Sequence, residues 1–147
     1  MTRVLVPVRY PLSSHSERTL AAAVEIAAER DAELIVLHVN LYQDGQKVTR
    51  SDLKSAAERA VDLEATTRYV VRKGFLVEET ILEEAAEEDA DVVVIGTKQI
   101  GRFRRMIRRL FDEPNERVPP RAPGHRGRDG LRRGRVTTFV RVEFDLC

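Results

Sequence analysis

The sequence predicts an α/β protein with a single doubly wound parallel sheet that carries helices on both faces. Two observations lead to this fold class. Short apolar, β-branched runs alternate with stretches of helical period along most of the chain. These apolar runs are continuous, which is typical of parallel strands that are buried on both faces. At 147 residues, the chain also has the length of one domain.

The first part of the chain contains two strand–helix pairs. The run TRVLVPV predicts a strand over Thr2–Val8, because it is short, apolar and β-branched. Ser14 and Glu17 have the spacing of a capping box and predict a helix that runs to about residue 30. The run AELIVLHVN predicts a second strand over Ala32–Asn40, and apolar residues at helical period predict a second helix over Thr49–Ala65.

The same alternation continues in the following segment. A third strand is predicted over Thr67–Arg72, and a third helix over Val77–Glu88, where apolar residues recur on one face. The run DVVVIGT predicts a fourth strand over Asp91–Thr97, the most apolar of the four. Gly101 then begins a fourth helix, which is predicted to continue to about Phe111.

The chain changes character near Pro114, so residues 1–113 are interpreted as the α/β domain. Residues 117–147 carry 8 Arg against 3 acidic residues, whereas residues 1–116 carry 17 basic and 21 acidic residues. Residues 114–134 are rich in Arg, Pro and Gly, and disorder is the physical expectation for a linker of this composition. Two accounts of it stay open, a basic tail or a change of reading frame near Asn115. Within residues 135–147, Arg135–Phe144 alternates like a strand and is expected at a sheet edge.

Most catalytic motifs are missing from the sequence. It has no G-x-x-x-x-G-K-[ST] phosphate loop, no G-x-G-x-x-G after the first strand and no G-x-S-x-G nucleophile motif. The three His lack metal-ligand spacing, and Cys147 is the single Cys. The acidic run from Glu78 to Asp89 is interpreted as the solvent face of the third helix. We therefore expect neither catalytic nor metal-binding residues.

One segment favours ligand binding. In DVVVIGTKQIGRF a strand leads through a Gly-containing loop into a helix, whose first turn offers unpaired N–H groups and a positive dipole to an anion. An ordinary tight turn is the plainer alternative. Arg residues surround the apolar stripe of this helix and form either a solvated face or a patch for phosphate, nucleic acid or acidic protein. These are Arg102, Arg104, Arg105, Arg108 and Arg109.

The runs VLVPV, AAERDAELIVLHV and VEETILEEAAEEDADVVVIGT, the last followed by a Gly-containing turn, resemble the universal stress protein family over roughly residues 1–111. The resemblance implies a Rossmann-like, five-stranded parallel sheet of order 3-2-1-4-5. It also implies a homodimer formed through the fifth strand, and regulatory roles in stress response without conventional catalysis. Many members of the family bind ATP, and others do not.

The ATP-binding members of this family carry Asp directly after the first strand and a G-x2-G-x9-G-[ST] motif after the fourth. Here Arg9 stands at the Asp position, and Gly96 is followed by Gln99, Arg109 and Leu110 at the later motif positions. A Cβ crowds the approach of the backbone to phosphate, so we expect no ATP binding of the family type and no required cofactor. A small anion or a differently posed nucleotide stays open. The expected crevice is lined by Val8, Arg9, Val39, Gly96, Thr97, Lys98, Gly101 and Arg102.

Together these features predict a non-catalytic stress-response protein without a membrane partner. The chain shows neither a signal peptide nor an apolar run near the ~18 residues of a membrane span, so we expect it in the cytoplasm. One alternative is a nucleotide-binding or ATP-hydrolysing member of the same superfamily. The other is a nucleic-acid-associated protein that acts through the Arg-rich fourth helix and tail. The aromatic content of 5% argues against this second alternative.

Overall fold

Five parallel strands form a single sheet in the computed structural model, which describes residues 2–63, 66–96, 99 and 101–105 and the backbone of residues 138–142. The strands lie in the order β3-β2-β1-β4-β5, which confirms the predicted fold class and the order that the family resemblance implied. They are β1 (Arg3–Pro7), β2 (Glu33–Leu41), β3 (Thr67–Gly74), β4 (Val92–Gly96) and β5 (Thr138–Val142).

Helices connect the first four strands. Residue 99 and residues 101–105 are also helical, at the beginning of the predicted fourth helix, and the remainder of that helix lies outside the described residues. Apart from the end of α2, the predicted strand and helix boundaries that can be compared fall within two residues of those in the structure. The helices are α1 (Ser14–Arg30), α2 (Arg50–Ala60) and α3 (Val77–Glu87), with one turn of 3-10 helix at Tyr42–Asp44.

The side chains of each central strand point alternately to the two faces of the sheet, and both faces are buried. Val4 and Val6 of β1 lie in one apolar cluster with α1 and α2, whereas Leu5 lies in a second cluster with α3 and Phe103. The side chains of Val4, Leu5 and Val6 are all fully buried. A strand that is covered in this way needs apolar residues at successive positions, which explains the continuous apolar runs in the sequence.

The N-terminal cap of α1 is Ser13, so the predicted capping box of Ser14 and Glu17 is wrong. The Ser13 side chain accepts a hydrogen bond from the backbone N–H of Ser16 at 3.1 Å. Ser13 has extended backbone, with φ −85° and ψ 171°, and the helix begins at the next residue. The residue three positions after the cap is therefore Ser16, which cannot reach back to the cap as a glutamate would.

Helix α2 begins as predicted but ends earlier. The side chain of Thr49 accepts from the N–H of Asp52 at 3.1 Å, and the Asp52 carboxylate accepts from the N–H of Thr49 at 3.0 Å. This bond from the Thr49 backbone lowers the pKa of Asp52. The prediction of a helix to residue 65 is wrong, because the helix ends at Ala60 and the backbone of Val61 is extended. Val61 and Leu63 pack against the core from this non-helical backbone.

Strand β5 extends the sheet beyond β4. Its residues pair in parallel with β4 from Val92↔Thr138 to Gly96↔Val142. The strand lies inside the predicted range Arg135–Phe144, and the ends of that range and the predicted linker, residues 114–134, lie outside the described part of the chain. The pairing gives hydrogen-bond partners to a β4 edge that would otherwise present open N–H and C=O groups.

Gly74 ends β3 at a place where a side chain does not fit. A Cβ on this residue would lie 2.1 Å from Thr80 Oγ1 and 3.3 Å from Thr80 Cβ. The Thr80 hydroxyl is buried and donates to the carbonyl oxygen of Leu76 at 2.9 Å, so it is not free to move away. The turn from β3 into α3 therefore requires glycine for steric reasons.

We expect Gly74→Ala to lower the free energy of unfolding by roughly 1–3 kcal/mol, the usual cost of overpacking. Thr80→Ala in the same chain should restore part of the loss, because it removes the nearer of the two atoms. Gly101→Ala is the control, since nothing lies within 4 Å of its Cβ position. Urea unfolding of the four proteins checks this, and equal stability of Gly74→Ala and wild type would contradict it.

We expect a chain that ends at Asn115 to associate, because β4 then loses its partner strand. Light scattering across a concentration series should give a larger mass for the shortened chain than for the full chain. A chain that lacks only residues 143–147 keeps β5 and serves as the control. If the chain ending at Asn115 matched the full chain in mass and solubility, the covering role of β5 would be refuted.

Candidate functional site

A cavity of about 830 Å³ lies beyond the carboxyl ends of β1, β2 and β4. The chain proceeds from β1 to β2 and β3 on one side and to β4 on the other, so the winding reverses between β1 and β4. The loops after these two strands therefore diverge and leave a crevice, which is where doubly wound sheets bind ligands. Leu37, Val39 and Ile81 provide apolar lining, and polar side chains come from the surrounding loops.

Five of the eight predicted crevice residues line this cavity. They are Val8, Arg9, Val39, Gly96 and Arg102. Gly101 is helical and is not part of the lining. Thr97 and Lys98 lie outside the described residues.

The N-terminus of α1 supplies a wall of the cavity that the sequence analysis did not assign. Ser13, His15, Ser16 and Thr19 all line it. The Ser16 hydroxyl accepts a hydrogen bond from the backbone N–H of Arg9 at 3.1 Å, which ties the loop after β1 to the helix. The only sequence signal for this wall was the run of serines that follows the first strand.

A second group of cavity residues that the sequence analysis did not assign comes from β2 and the loop after it. His38 is 4% exposed and lines the cavity with Gln46. The Nδ1 atom of His38 lies 3.1 Å from the carbonyl oxygen of Val8, and its Nε2 atom lies 3.1 Å from Gln46 Oε1. Gln46 Nε2 donates to the carbonyl oxygen of Tyr10 at 3.0 Å. A histidine inside a mostly apolar strand was the available signal.

The described lining of the cavity carries both signs of charge. Arg9 and Arg102 are the cationic side chains, and Asp44 and Glu78 are the carboxylates. Arg102 forms an ion pair of 3.7 Å with Glu78, in which the arginine is 51% exposed and the glutamate 15% exposed. Of the two arginines, Arg9 therefore has no carboxylate partner among the described ion pairs.

Comparison with known proteins identifies the family. The sequence profile described as the universal stress protein family matches residues 1–110, well over half of the chain. The chain belongs to the universal stress protein family. Among curated protein sequences, none matches it.

Solved universal stress protein structures share the fold. The protein from Archaeoglobus fulgidus in complex with dAMP is 20% identical, with a TM-score of 0.56 over 96% of this chain and 97% of that one. A family protein from Burkholderia pseudomallei is 18% identical, with a TM-score of 0.61 over 96% and 95%. A universal stress protein in complex with cAMP is 20% identical, with a TM-score of 0.54 over 94% and 95%.

Two positions at which this universal stress protein departs from the ATP motif lie on the cavity wall. Arg9, at the position of the Asp, and Gln99, at the position of the second Gly, both line the cavity with Gly96. The other two departures, Arg109 and Leu110, lie outside the described residues. Two of the four side chains that distinguish this chain from the motif therefore lie on the cavity wall.

The described ranges contain neither a metal-binding cluster nor a membrane-spanning helix. In these residues no group of three or more His, Cys, Asp or Glu side chains could hold a metal ion. No helix among them has the length and apolar character needed to cross a membrane.

Most of the acidic run from Glu78 to Asp89 is exposed or half-buried, as predicted, but several of its carboxylates also form ion pairs with β3. Glu84 is only 3% exposed and contacts Arg72, which also pairs with Glu87 at 3.4 Å. Arg68 binds Glu88 through both terminal nitrogens, at 3.2 and 2.5 Å. β3 is an edge strand, and its arginines face the same side as α3, so the carboxylates find partners that periodicity alone does not show.

Glu84 and Glu88, one helical turn apart, hold protons with different affinity. Burial raises the pKa of Glu84, and its hydrogen bond with Glu88 raises it further, against the lowering effect of Arg72. The hydrogen bond from Arg68 lowers the pKa of Glu88. Neither carboxylate lines the cavity, so this pair stabilises the α3–β3 contact and is not positioned to act on a ligand there.

We expect Arg72→Met to lower the free energy of unfolding by roughly 1–3 kcal/mol at neutral pH, because buried Glu84 loses its cation. The pKa of Glu84 then rises further in the folded state. The folded variant then binds more protons than the unfolded variant. Its loss of unfolding free energy relative to wild type should therefore grow as the pH rises. Urea unfolding at mildly acidic and mildly alkaline pH measures this.

Lys54→Met is the matched control for this prediction. Lys54 pairs with Glu58 at 3.1 Å, and both side chains are exposed. Removing an exposed pair of this kind should cost at most about 0.5 kcal/mol at either pH. A deficit of Arg72→Met that stayed constant with pH would show that Glu84 remains ionised without its partner.

Proposed function

We propose that this universal stress protein is a non-catalytic regulatory protein whose cavity binds a small anionic ligand and does not bind ATP in the manner of the family motif. The observation that carries the proposal is the place of Arg9 and Gln99. Both line the cavity at positions where ATP-binding members have Asp and Gly.

The chemistry of these two side chains favours a changed ligand. Arg9 donates hydrogen bonds and carries a positive charge, whereas a carboxylate at this position would accept hydrogen bonds. Gln99 adds a side chain where glycine lets the backbone approach a phosphate. Arg9 is the second residue after β1, and its backbone N–H donates a hydrogen bond to the Ser16 hydroxyl, which fixes the backbone from which the guanidinium extends.

The size of the cavity and the known complexes indicate which ligands to test. A volume of about 830 Å³ falls in the range of small-molecule sites. The Archaeoglobus fulgidus neighbour was solved with dAMP and another neighbour with cAMP. Nucleoside monophosphates and inorganic phosphate are therefore the first ligand class to test on this chain.

Two polar groups that could serve catalysis are already engaged. His38 contacts an oxygen atom at each ring nitrogen, and the Ser16 hydroxyl accepts from the Arg9 backbone. Neither ring nitrogen of His38 contacts the Ser16 hydroxyl, as a base that activates a serine nucleophile would. A regulatory role through ligand binding fits these contacts better than catalysis. By analogy with other family members, we also propose a homodimer formed along β5.

We expect calorimetric titration with ATP to show no binding in the micromolar range. Arg9→Asp combined with Gln99→Gly should raise the affinity measurably, because these changes restore two motif positions on the cavity wall. Arg104→Asp, an exposed change of equal charge, is the control and should have no effect. Micromolar ATP binding by the wild type would falsify the proposal.

We expect phosphate or a nucleoside monophosphate to raise the melting temperature relative to chloride at equal ionic strength, because a ligand that binds only the folded state stabilises it. Arg9→Gln should abolish most of the rise, and Arg104→Gln should keep it. A rise of equal size in wild type and Arg9→Gln would place the anion elsewhere, and the proposed role of Arg9 would be lost.

A further inference from the structure

A chain of three hydrogen-bonding contacts joins the β1–α1 loop to β2 and the loop after it. The carbonyl oxygen of Val8 lies 3.1 Å from His38 Nδ1, and Gln46 Oε1 lies 3.1 Å from His38 Nε2. The amide nitrogen of Gln46 lies 3.0 Å from the carbonyl oxygen of Tyr10. Val8 and Tyr10 are the residues on either side of Arg9, so the chain holds both ends of the segment that presents Arg9.

The two ends of this chain are backbone carbonyl oxygens, which only accept hydrogen bonds. Tyr10 therefore requires the NH₂ group of Gln46 to face it, which leaves Gln46 Oε1 facing His38 Nε2. Val8 likewise requires a proton on Nδ1. All three contacts are satisfied together only when both nitrogens of His38 carry a proton, which is the imidazolium form.

Each neutral form leaves one contact without a proton. With the proton on Nε2, the lone pair of Nδ1 faces the Val8 carbonyl oxygen. With the proton on Nδ1, the lone pair of Nε2 faces Gln46 Oε1. If the Gln46 amide is rotated so that its NH₂ group faces His38, its Oε1 atom faces the Tyr10 carbonyl oxygen, and two acceptors again face each other. An unpaired buried contact of this kind is costly, so loss of a proton from His38 must break the chain at one point.

The titratable groups that line the cavity with His38 come from the loop after β1 and from the surrounding helical segments. Arg9 and Tyr10 lie on the β1–α1 loop and His15 on α1. Asp44, Glu78 and Arg102 complete the titratable lining, and the two carboxylates balance the two arginines. On β3, the residue opposite His38 is the apolar Val71. The requirement for the doubly protonated ring therefore comes from the three contacts and not from a surplus of negative charge.

We propose that His38 is a proton-controlled clamp on the β1–α1 loop. Protonation closes the chain from Val8 to Tyr10, and loss of the proton releases one end, so that the segment carrying Arg9 responds to pH. The inference stands on these contacts alone and does not depend on which ligand enters the cavity.

NMR of the full chain labelled with ¹⁵N and ¹³C, recorded over a series of pH values, tests the clamp. The ring ¹⁵N signals of His38 show which nitrogens carry protons. We expect both to be protonated at the acid end, and the carbonyl ¹³C signals of Val8 and Tyr10 to shift with the same midpoint as the ring. A single neutral tautomer throughout, or stationary carbonyl signals while the ring titrates, overturns the proposal.

Two variants separate the clamp from other effects of pH. Gln46→Ala changes a partly exposed loop residue. It should abolish the pH-dependent shift of the Tyr10 carbonyl signal, while that of the Val8 carbonyl signal remains. His15→Gln removes the other histidine of the cavity lining and should leave both shifts unchanged. Loss of both shifts in His15→Gln would refute the role of His38. An unchanged Tyr10 shift in Gln46→Ala would refute the link through Gln46.

Discussion

The burial of β1 on both faces and along both edges is the constraint on which the rest of the structure depends. β1 pairs with β2 over five residues and with β4 over two, and its side chains contribute to both apolar clusters. Because the chain leaves β1 toward one side of the sheet and returns to β4 on the other, the two following loops cannot fill the space between them. The cavity is a direct consequence of this reversal.

The outer parts of the sheet are stabilised by different physical means. β3 is an edge strand, and it presents Arg68 and Arg72 to the carboxylates of α3. These ion pairs let α3 pack on a strand face that is not apolar, while Ile81 and Ala85 of the same helix pack on the central strands. A charged face on an edge strand also discourages pairing with another chain. At the opposite side, β5 covers β4 by backbone pairing.

The site combines a position that the sheet topology sets with side chains that differ from those of the ATP motif. The cavity lies where universal stress protein folds reverse their winding, and the chain matches the family profile across it. Arg9 and Gln99 stand on its wall in place of the residue types in the ATP motif. Behind the wall, the His38 and Gln46 contacts hold the loop that carries Arg9. The family fold provides the cavity, and we propose that these few residues determine what it can bind.

The sequence by itself determined the number, order and type of the elements, because burial on both faces forces continuous apolar runs and helices carry a 3.6-residue period. It also indicated Val8, Arg9, Val39, Gly96 and Arg102 as crevice residues, through the family motif and the rule for strand ends.

The partners of His38, Gln46 and Glu84 were decided only by the tertiary structure. His38 and Val8 are 30 residues apart, Gln46 and Tyr10 are 36 apart, and Arg72 and Glu84 are 12 apart. Contacts over such separations join different elements and leave no periodic pattern in the sequence. The cap at Ser13 and the early end of α2 were likewise settled by packing, since adjacent serines and an unbroken helical period fit several boundaries equally well.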